Sequence, residues 1–380
     1  MPPDGTAMDG TMLSAGEKTA WLRLIRSDGI GPVTFRELLD HFGSAEAALD
    51  AVPDLAARGG RRLRIPPADL AEQEIDALDA IGAWLIAIGE PDYPAWLAHI
   101  DSAPPLIALR GDPAVLRRPA VAIVGSRNAS IGGVKFAKQI ARDLGSRGYV
   151  IASGLARGID AAAHVASAST GTVAVLAGGL DRLYPAENIA LAGRIIEEGG
   201  AHLSEMPLGW EPRARDFPRR NRLVSGLSLG VVVIEAADRS GSLITARLAG
   251  EQGRIVFAVP GSPLDPRSVG TNRLLRDGAR IVTSVDDIIG DIEPMIAREP
   301  EREMRSASPA AAPADAGDAE RQKIVDALGS APVEIDEIVR YTGLKPALVH
   351  LVLLELDLAG RISRHPGGRV SLLAGDGETG

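Results

Sequence analysis

The 380-residue chain contains no cysteine, which excludes disulfides and thiolate metal sites and is compatible with a reducing compartment. Its aromatic residues number only thirteen, too few for a reader built on rows of stacking rings such as an OB-fold or an RNP-type sheet. No run approaches the roughly 18 apolar residues that a membrane span needs. The opening stretch, "MPPDGTAMDGTMLSAGEKTA", has no apolar core, so neither a signal peptide nor a membrane partner is expected, and the expected location is cytoplasmic. The six histidines are scattered and no H-E-x-x-H occurs, so no metal site is expected. Without G-x-x-x-x-G-K-[ST] or G-x-G-x-x-G, neither an ordinary P-loop nor a dinucleotide cofactor is expected, and no cofactor is assigned. A net charge of −9 argues against a protein coated in positive charge, while leaving room for one local basic site.

Three blocks stand out in what is present. Residues 18–76 read as helical with short breaks. Over 81–292, short apolar runs ("WLIAI", "AVAIVG", "YVIASG", "TVAVLAGG", "GVVVIEA", "RIVFAVPG", "ARIVT") alternate with helical stretches, the pattern of a parallel sheet covered on both faces. An Ala/Pro-rich segment within 293–318, "SASPAAAPADAG", reads as a flexible linker. Residues 319–373 then read helix, helix, helix and a hairpin turning at Pro366-Gly367-Gly368, the order of a winged helix.

In open α/β sheets, ligands bind beyond the carboxyl ends of the strands. Four Gly/Ser loops fall there. Gly125, Ser126 and Arg127 follow one strand; Ser153, Gly154 and Arg157 follow the next; Gly178 and Gly179 follow a third; Ser240, Gly241 and Ser242 open a helix after a fourth. Small residues at a helix N-terminus present backbone N–H groups to an anion. Between Arg213 and Arg222, five of ten residues are arginine and only Asp216 opposes them in sequence. Arginine suits bidentate recognition of phosphate; the alternative is a salt-bridge cluster whose acids arrive from elsewhere in the fold.

Two other motifs lack their context. Gly226-Leu227-Ser228-Leu229-Gly230 matches G-x-S-x-G, but the strand follows the serine rather than preceding it, against a nucleophile elbow. Asp160 and His164 sit four apart on one helix and could be an acid/base pair; a first-turn carboxylate stabilising the helix dipole is the better reading of Asp160.

Taken in order, "YPAWLAHIDSAPPLIALRGD", "AIVGSR", "SGLARGIDAAAH", "GGLDRLYPAEN", "SEMPLGWEPRARDFPRRNRLVSGLS", "VVVIEA", "SGSLITA" and "VPGSPLDPRSVGTNRLLRDGA" resemble the DprA (DNA-processing protein A, also called Smf) family. The resemblance implies an α/β fold: an extended Rossmann-like core with a small N-terminal helical (helix-hairpin-helix or SAM-like) domain and a C-terminal winged helix. It also implies non-sequence-specific binding of single-stranded DNA, a homodimer, help in loading the RecA recombinase onto incoming DNA in natural transformation, and no catalytic turnover. Arg127, Ser153, Gly154, Arg219, Asn221, Arg222, Ser240, Gly241 and Ser242 match the family's segments, and with Gly125, Ser126, Arg157 and Arg220 they are the expected phosphate- and base-binding set. Where the family often has Tyr-Gly after Gly-Ser-Arg, this chain has Gly132-Gly133, and Phe217 is the nearest aromatic that could compensate.

The flanking blocks are less specific. "SDGIGPVTFRELLDHFGSAEAAL" looks like a helix-hairpin-helix with few basic residues beside its turn. The would-be recognition helix, 345–359, carries Lys345 and His350 but also Glu355 and Asp357 and is otherwise apolar, favouring protein contact over duplex reading. An enzymatic alternative is a phosphoribohydrolase-like protein acting on nucleoside monophosphates; there, Ala246 and Arg247 stand where that class carries an acid.

Overall fold

The computed structural model describes residues 12–296, 316–365 and 367–373. Near the N-terminus, α1 (Ala15–Ile25) starts at a capping box in which Ser14 and Glu17 exchange hydrogen bonds. Next come α2 (Pro32–Phe42), with proline at its first turn, α3 (Ala45–Arg58), capped by Ser44, and α4 (Ala68–Ala80).

The sheet strands are β1 (Ala83–Ala87), β2 (Leu106–Gly111), β3 (Ala120–Val124), β4 (Val150–Ser153), β5 (Thr172–Val175), β6 (Ala201–Ser204), β7 (Gly230–Val233), β8 (Ile255–Ala258) and β9 (Arg280–Ile281). Their order is β1-β2-β6-β5-β4-β3-β7-β8-β9. From β6 to β9 neighbours are parallel, so the order reverses at β3, where β7 pairs on the side opposite β4. The expected parallel sheet is correct for this body. The run "WLIAI" departs from it: β1 pairs antiparallel with β2, which pairs antiparallel with β6. β2 and β6 are absent from the sequence reading, since "LIALRG" and "AHLS" each carry a charged or polar side chain within a short run.

Helices cover both faces of the sheet: α5 (Ala95–Ala98), α6 (Ile131–Ser146), α7 (Ile159–Ser167), α8 (Ile189–Glu197), α9 (Asp216–Gly226), α10 (Gly241–Glu251), α11 (Val269–Arg276) and α12 (Val285–Ile296). Strand alternation divides the core. Val121, Ile123 and Val232 pack with Ala137, Ile140, Ala141 and Leu144 of α6, an i, i+3, i+4, i+7 stripe. Ala122, Val124, Val231 and Val233 point the other way, toward Leu223 and Val224 of α9 and Ala246 and Ala249 of α10.

The C-terminal piece is a winged helix: α13 (Asp318–Asp326), β10 (Val333–Glu334), α14 (Ile335–Thr342), α15 (Pro346–Leu358), β11 (Ile362–His365) and β12 (Arg369–Leu372), with β12 between β10 and β11. Of its expected turn, Pro366 lies outside the described residues and Gly367 and Gly368 have positive φ. The expected linker is shorter at both ends, because 293–296 complete α12 and Asp318 begins α13; residues 297–315 lie outside the described residues.

The chain folds as two units, one of residues 73–296 and the other of residues 14–72 with 316–373. In the second, α15 is sandwiched. Val349, Val352, Leu353 and Leu356 fill the winged helix's own core, while Leu351, Leu354 and Leu358 pack with Leu24, Phe35, Leu38 and Leu55 of the N-terminal helices. Arg364 reinforces this union by pairing with Glu37 and with Asp357, and Asp357 also accepts from Thr34 at 2.8 Å. The would-be recognition helix is therefore committed to a protein contact.

Candidate nucleic-acid interface

All five loops that follow β3 to β7 emerge at the carboxyl edge of the parallel strands, and α9 leads back from this edge into β7. The structure brings the four Gly/Ser loops together, but it does not leave them equally open. After β3, Ser130 caps α6, and Glu235 accepts from the backbone N–H and the hydroxyl of Ser130. A protein carboxylate thus sits where an anion was expected. A Cβ at Gly133 would lie 2.6 Å from Cδ of Glu235, so the glycine at this position, which the family's Tyr-Gly shares, is what admits this acid, while Gly132, where the family often has Tyr, does not meet it.

The loop after β4 is likewise claimed. Asp160, in the first turn of α7, accepts from the N–H groups of Gly154 at 3.1 Å and Ala156 at 3.3 Å. Ser153 is fully buried, its hydroxyl donating to Ile123 O. Gly158 has φ +73, and a Cβ there would lie 2.2 Å from Ser126 O, so only glycine allows this loop to close on the one after β3. Leu155 has φ 58 in the same loop, a conformation held by Asn188 donating to Leu155 O and Ala156 O. Arg157 is exposed and paired with Glu187. Asp160 and His164 do not form a dyad: His164 Nδ1 meets Thr172 Oγ1 at 2.8 Å, and since that hydroxyl donates to Ile151 O, the imidazole is the donor. Burial, helped by the nearby His202 and Arg220, holds His164 down to about 3, while burial raises Asp160 above its ordinary value against the pull of Arg220.

After β7 the loop is more open. Ser240 caps α10 through the Ser242 N–H, and its hydroxyl lies 2.7 Å from that of Ser242. Asn221 ties this loop to α9 by donating to Gly241 O at 3.4 Å.

The arginine cluster divides. It begins in the loop before α9 and continues into that helix, whose first residue, Asp216, accepts from Trp210 Nε1 and the Arg213 N–H. Arg220 is buried and donates to Gly154 O and Val175 O; loss of solvation lowers it to about 10, with Asp160 pulling the other way. Arg222 is buried, donates to Ser102 O and pairs with Glu205, which also accepts from Arg219 Nε at 2.9 Å. Arg222 is thus in a buried ion pair, as in the salt-bridge alternative, with the acid arriving from a separate loop, whereas Arg220 is held by main-chain carbonyls. Arg219 remains about half exposed. Arg127, Arg213, Arg215 and Arg239 are exposed, and among the described residues none of them is ion-paired.

Phe217 lies at the centre of the outward-facing groups. Arg127 is stacked 5.4 Å from its ring centroid and Arg220 5.9 Å, while Tyr184 meets it edge-on at 5.6 Å. A cleft beside them is lined by Gly154, Gly178, Arg182, Tyr184, Pro212 and Phe217. Tyr184 and Arg182 are missing from the sequence-derived set although both lie in "GGLDRLYPAEN"; a tyrosine before proline reads as a turn until the fold sets it against Phe217. Among the described residues no cluster suited to a metal ion occurs, and no helix is long and apolar enough to cross a membrane.

A doubly wound, Rossmann-like core with an aromatic-cationic ligand edge, joined to a helix-hairpin-helix and a winged helix, defines the class. Residues 84–293 match the DNA recombination-mediator protein A family, 15–77 the DprA-like N-terminal HHH domain and 308–368 the DprA winged helix domain. The chain is 36% identical to Protein Smf of Escherichia coli strain K12, over 93% of this chain and 95% of that one. The crystal structure of DNA processing protein A from Streptococcus pneumoniae aligns with TM-score 0.60 and 36% identity, covering 74% of this chain and 99% of that one. The structure of the Helicobacter pylori DNA processing protein A, described for its single-stranded DNA binding mode, aligns with TM-score 0.51 and 29% identity, covering 57% and 97%. The chain belongs to the DprA/Smf family.

Proposed function

We propose that the chain binds single-stranded DNA with little sequence preference at the carboxyl edge of the large sheet. Acting as a homodimer without catalytic turnover, it delivers that DNA to the RecA recombinase during natural transformation. One observation carries the binding step: Arg127, Phe217 and Tyr184 form a single surface at the start of α9, the helix that Asn221 ties to the Ser240-Gly241-Ser242 loop. An aromatic face accepts any base, and a guanidinium beside it meets the adjoining phosphate, so recognition is of an unpaired strand and not of a sequence. The single-stranded DNA binding described for the Helicobacter relative supports this reading, and the family's description as a recombination mediator supports the delivery step.

Fluorescence anisotropy with single strands and duplexes of equal length, each at two salt concentrations, tests the binding step. Preference for the single strand is expected, with affinity falling as salt rises. Equal or tighter binding of duplex overturns it. Adding RecA and following filament formation on coated single strands tests the delivery step, and incubation with nucleoside monophosphates, looking for released base, tests the absence of turnover.

A further inference from the structure

The helix-hairpin-helix turn is poor in basic residues by sequence, yet the fold supplies them from elsewhere. The stretch after α3, residues 61–67, has no regular secondary structure. Leu63 and Ile65 pack onto the core formed by the N-terminal helices and α15, and Arg23 Nε donates to Pro66 O, so the stretch is anchored along one side. Arg61, Arg62 and Arg64 are all exposed. Arg61 Nη1 lies 3.5 Å from the position a Cβ would take at Gly29, in the hairpin turn, and 3.5 Å from the corresponding position at Gly360, just past α15. The next residue, Arg361, is exposed as well.

The nearby acids of α15 are already neutralised: Glu355 by Arg58 and Arg321, and Asp357 by Arg364. Among the described residues, Arg61, Arg62, Arg64 and Arg361 have no ion-pair partner. Asp28 is the one acid adjacent to the turn in sequence, and it is exposed. Four unpaired guanidinium groups in one neighbourhood, on a chain of net charge −9, are a local concentration of positive charge that the fold does not consume.

We propose that Arg61, Arg62, Arg64 and Arg361, beside the Gly29 turn, form a second contact for the DNA phosphodiester backbone, separate from the sheet edge. It rests on the reading of the chain as a DNA-binding protein and adds a second point of attachment on the same strand. Two sites on one strand act by raising the effective concentration of the second contact, so the patch contributes on long strands and not on short ones. It reads charge alone and gives no sequence preference.

The test uses the full chain with Arg62→Gln and Arg64→Gln together, leaving Arg61 at its place between the two glycines, beside the separate variant Arg127→Ala. Anisotropy is read on strands of about 6 and about 40 nucleotides, lengths that bracket the typical extent of a single site. On the long strand the double variant should bind more weakly and flatten the log–log salt slope by about 1.4, two contacts of roughly 0.7 each. On the short strand its affinity should match wild type, and its melting temperature should be unchanged. An unaltered slope and affinity on the long strand overturn the patch, and an equal loss on both lengths also overturns it as a second site. The sheet edge is judged separately: loss in Arg127→Ala with none in the double variant removes the patch alone, and the reverse pattern removes the sheet edge alone.

Discussion

Tyr184 meets Phe217 edge-on, with ring centroids 5.6 Å apart and planes inclined at 62°. Phe217 is half-buried and Tyr184 about half exposed, so one ring props the other at the rim of the cleft. If bases stack here, removing either ring affects every sequence alike. Phe217→Ala and Tyr184→Ala should each weaken single-strand binding by about 1–3 kcal/mol, the range for loss of one base–aromatic stack. Anisotropy with homopolymeric strands of differing base checks this, and binding unaltered in both variants removes the rings from the site.

The division of the arginines gives a second prediction. Arg222 and Glu205 are a buried pair, so Arg222→Ala removes the buried cation from Glu205, which keeps Arg219, and should destabilise the fold by less than a fully uncompensated buried charge would, about 3–5 kcal/mol. Arg127 is exposed and unpaired among the described residues, so Arg127→Ala should leave the melt unchanged and flatten the single-strand salt slope by about 0.7. Thermal melts and salt-dependent anisotropy on both variants separate the two roles. A stable Arg222→Ala protein whose salt slope has flattened would instead make Arg222 a direct phosphate contact.

The placement of α15 yields a third. Leu351, Leu354 and Leu358 complete a core begun by Leu24, Phe35 and Leu38, so the N-terminal helices do not close their own core. Shortening the chain to residues 12–296 should leave the large sheet folded while helices α1 to α3 lose protection from hydrogen exchange and the protein binds more hydrophobic dye. Arg364→Ala, which leaves Glu37 and Asp357 facing each other without their shared cation, should loosen the same region less severely. Full protection of α1 to α3 in the shortened chain would show that the winged helix is dispensable to them.

These outcomes also mark what the sequence could and could not convey. Near-continuous apolar runs such as "GVVVIEA" revealed the parallel strands because both faces of the sheet are covered, whereas "AHLS" did not, since the fold buries His202 and Ser204 with polar partners that no local pattern announces. The order of the Gly/Ser loops and the arginine-rich segment located the ligand edge. Occupancy was not legible: that Glu235 fills the loop after β3 depends on a residue 105 positions from Ser130, that Glu205 draws Arg222 inward depends on one 17 positions away, and that Asp160, only four and six residues from its partners, turns back into its own loop depends on the loop's conformation. The docking of α15 was hidden for the same reason, although its acids and apolar face already argued against duplex reading.

The last prediction concerns pH. Burial holds His164 down to about 3 and His202 to about 4, both below the ordinary histidine value near 6.5. Each ring has one nitrogen without a hydrogen-bond partner among the described residues, Nε2 of His164 and Nδ1 of His202, so a second proton would be buried with nothing to receive it. Because the folded values lie below the unfolded ones, the unfolded chain binds more protons between about pH 4 and pH 6.5. The stabilisation from keeping both rings neutral is therefore fully present above about pH 6.5 and declines as the pH falls, by about 2 kcal/mol per histidine at pH 5. Melting temperature should drop steeply between pH 7 and pH 5. The variant with His164→Gln and His202→Gln should start lower at pH 7, having lost the Thr172 and Ala192 contacts, and should change less over the same interval. Equal pH slopes in the two proteins would assign the acid sensitivity to other groups.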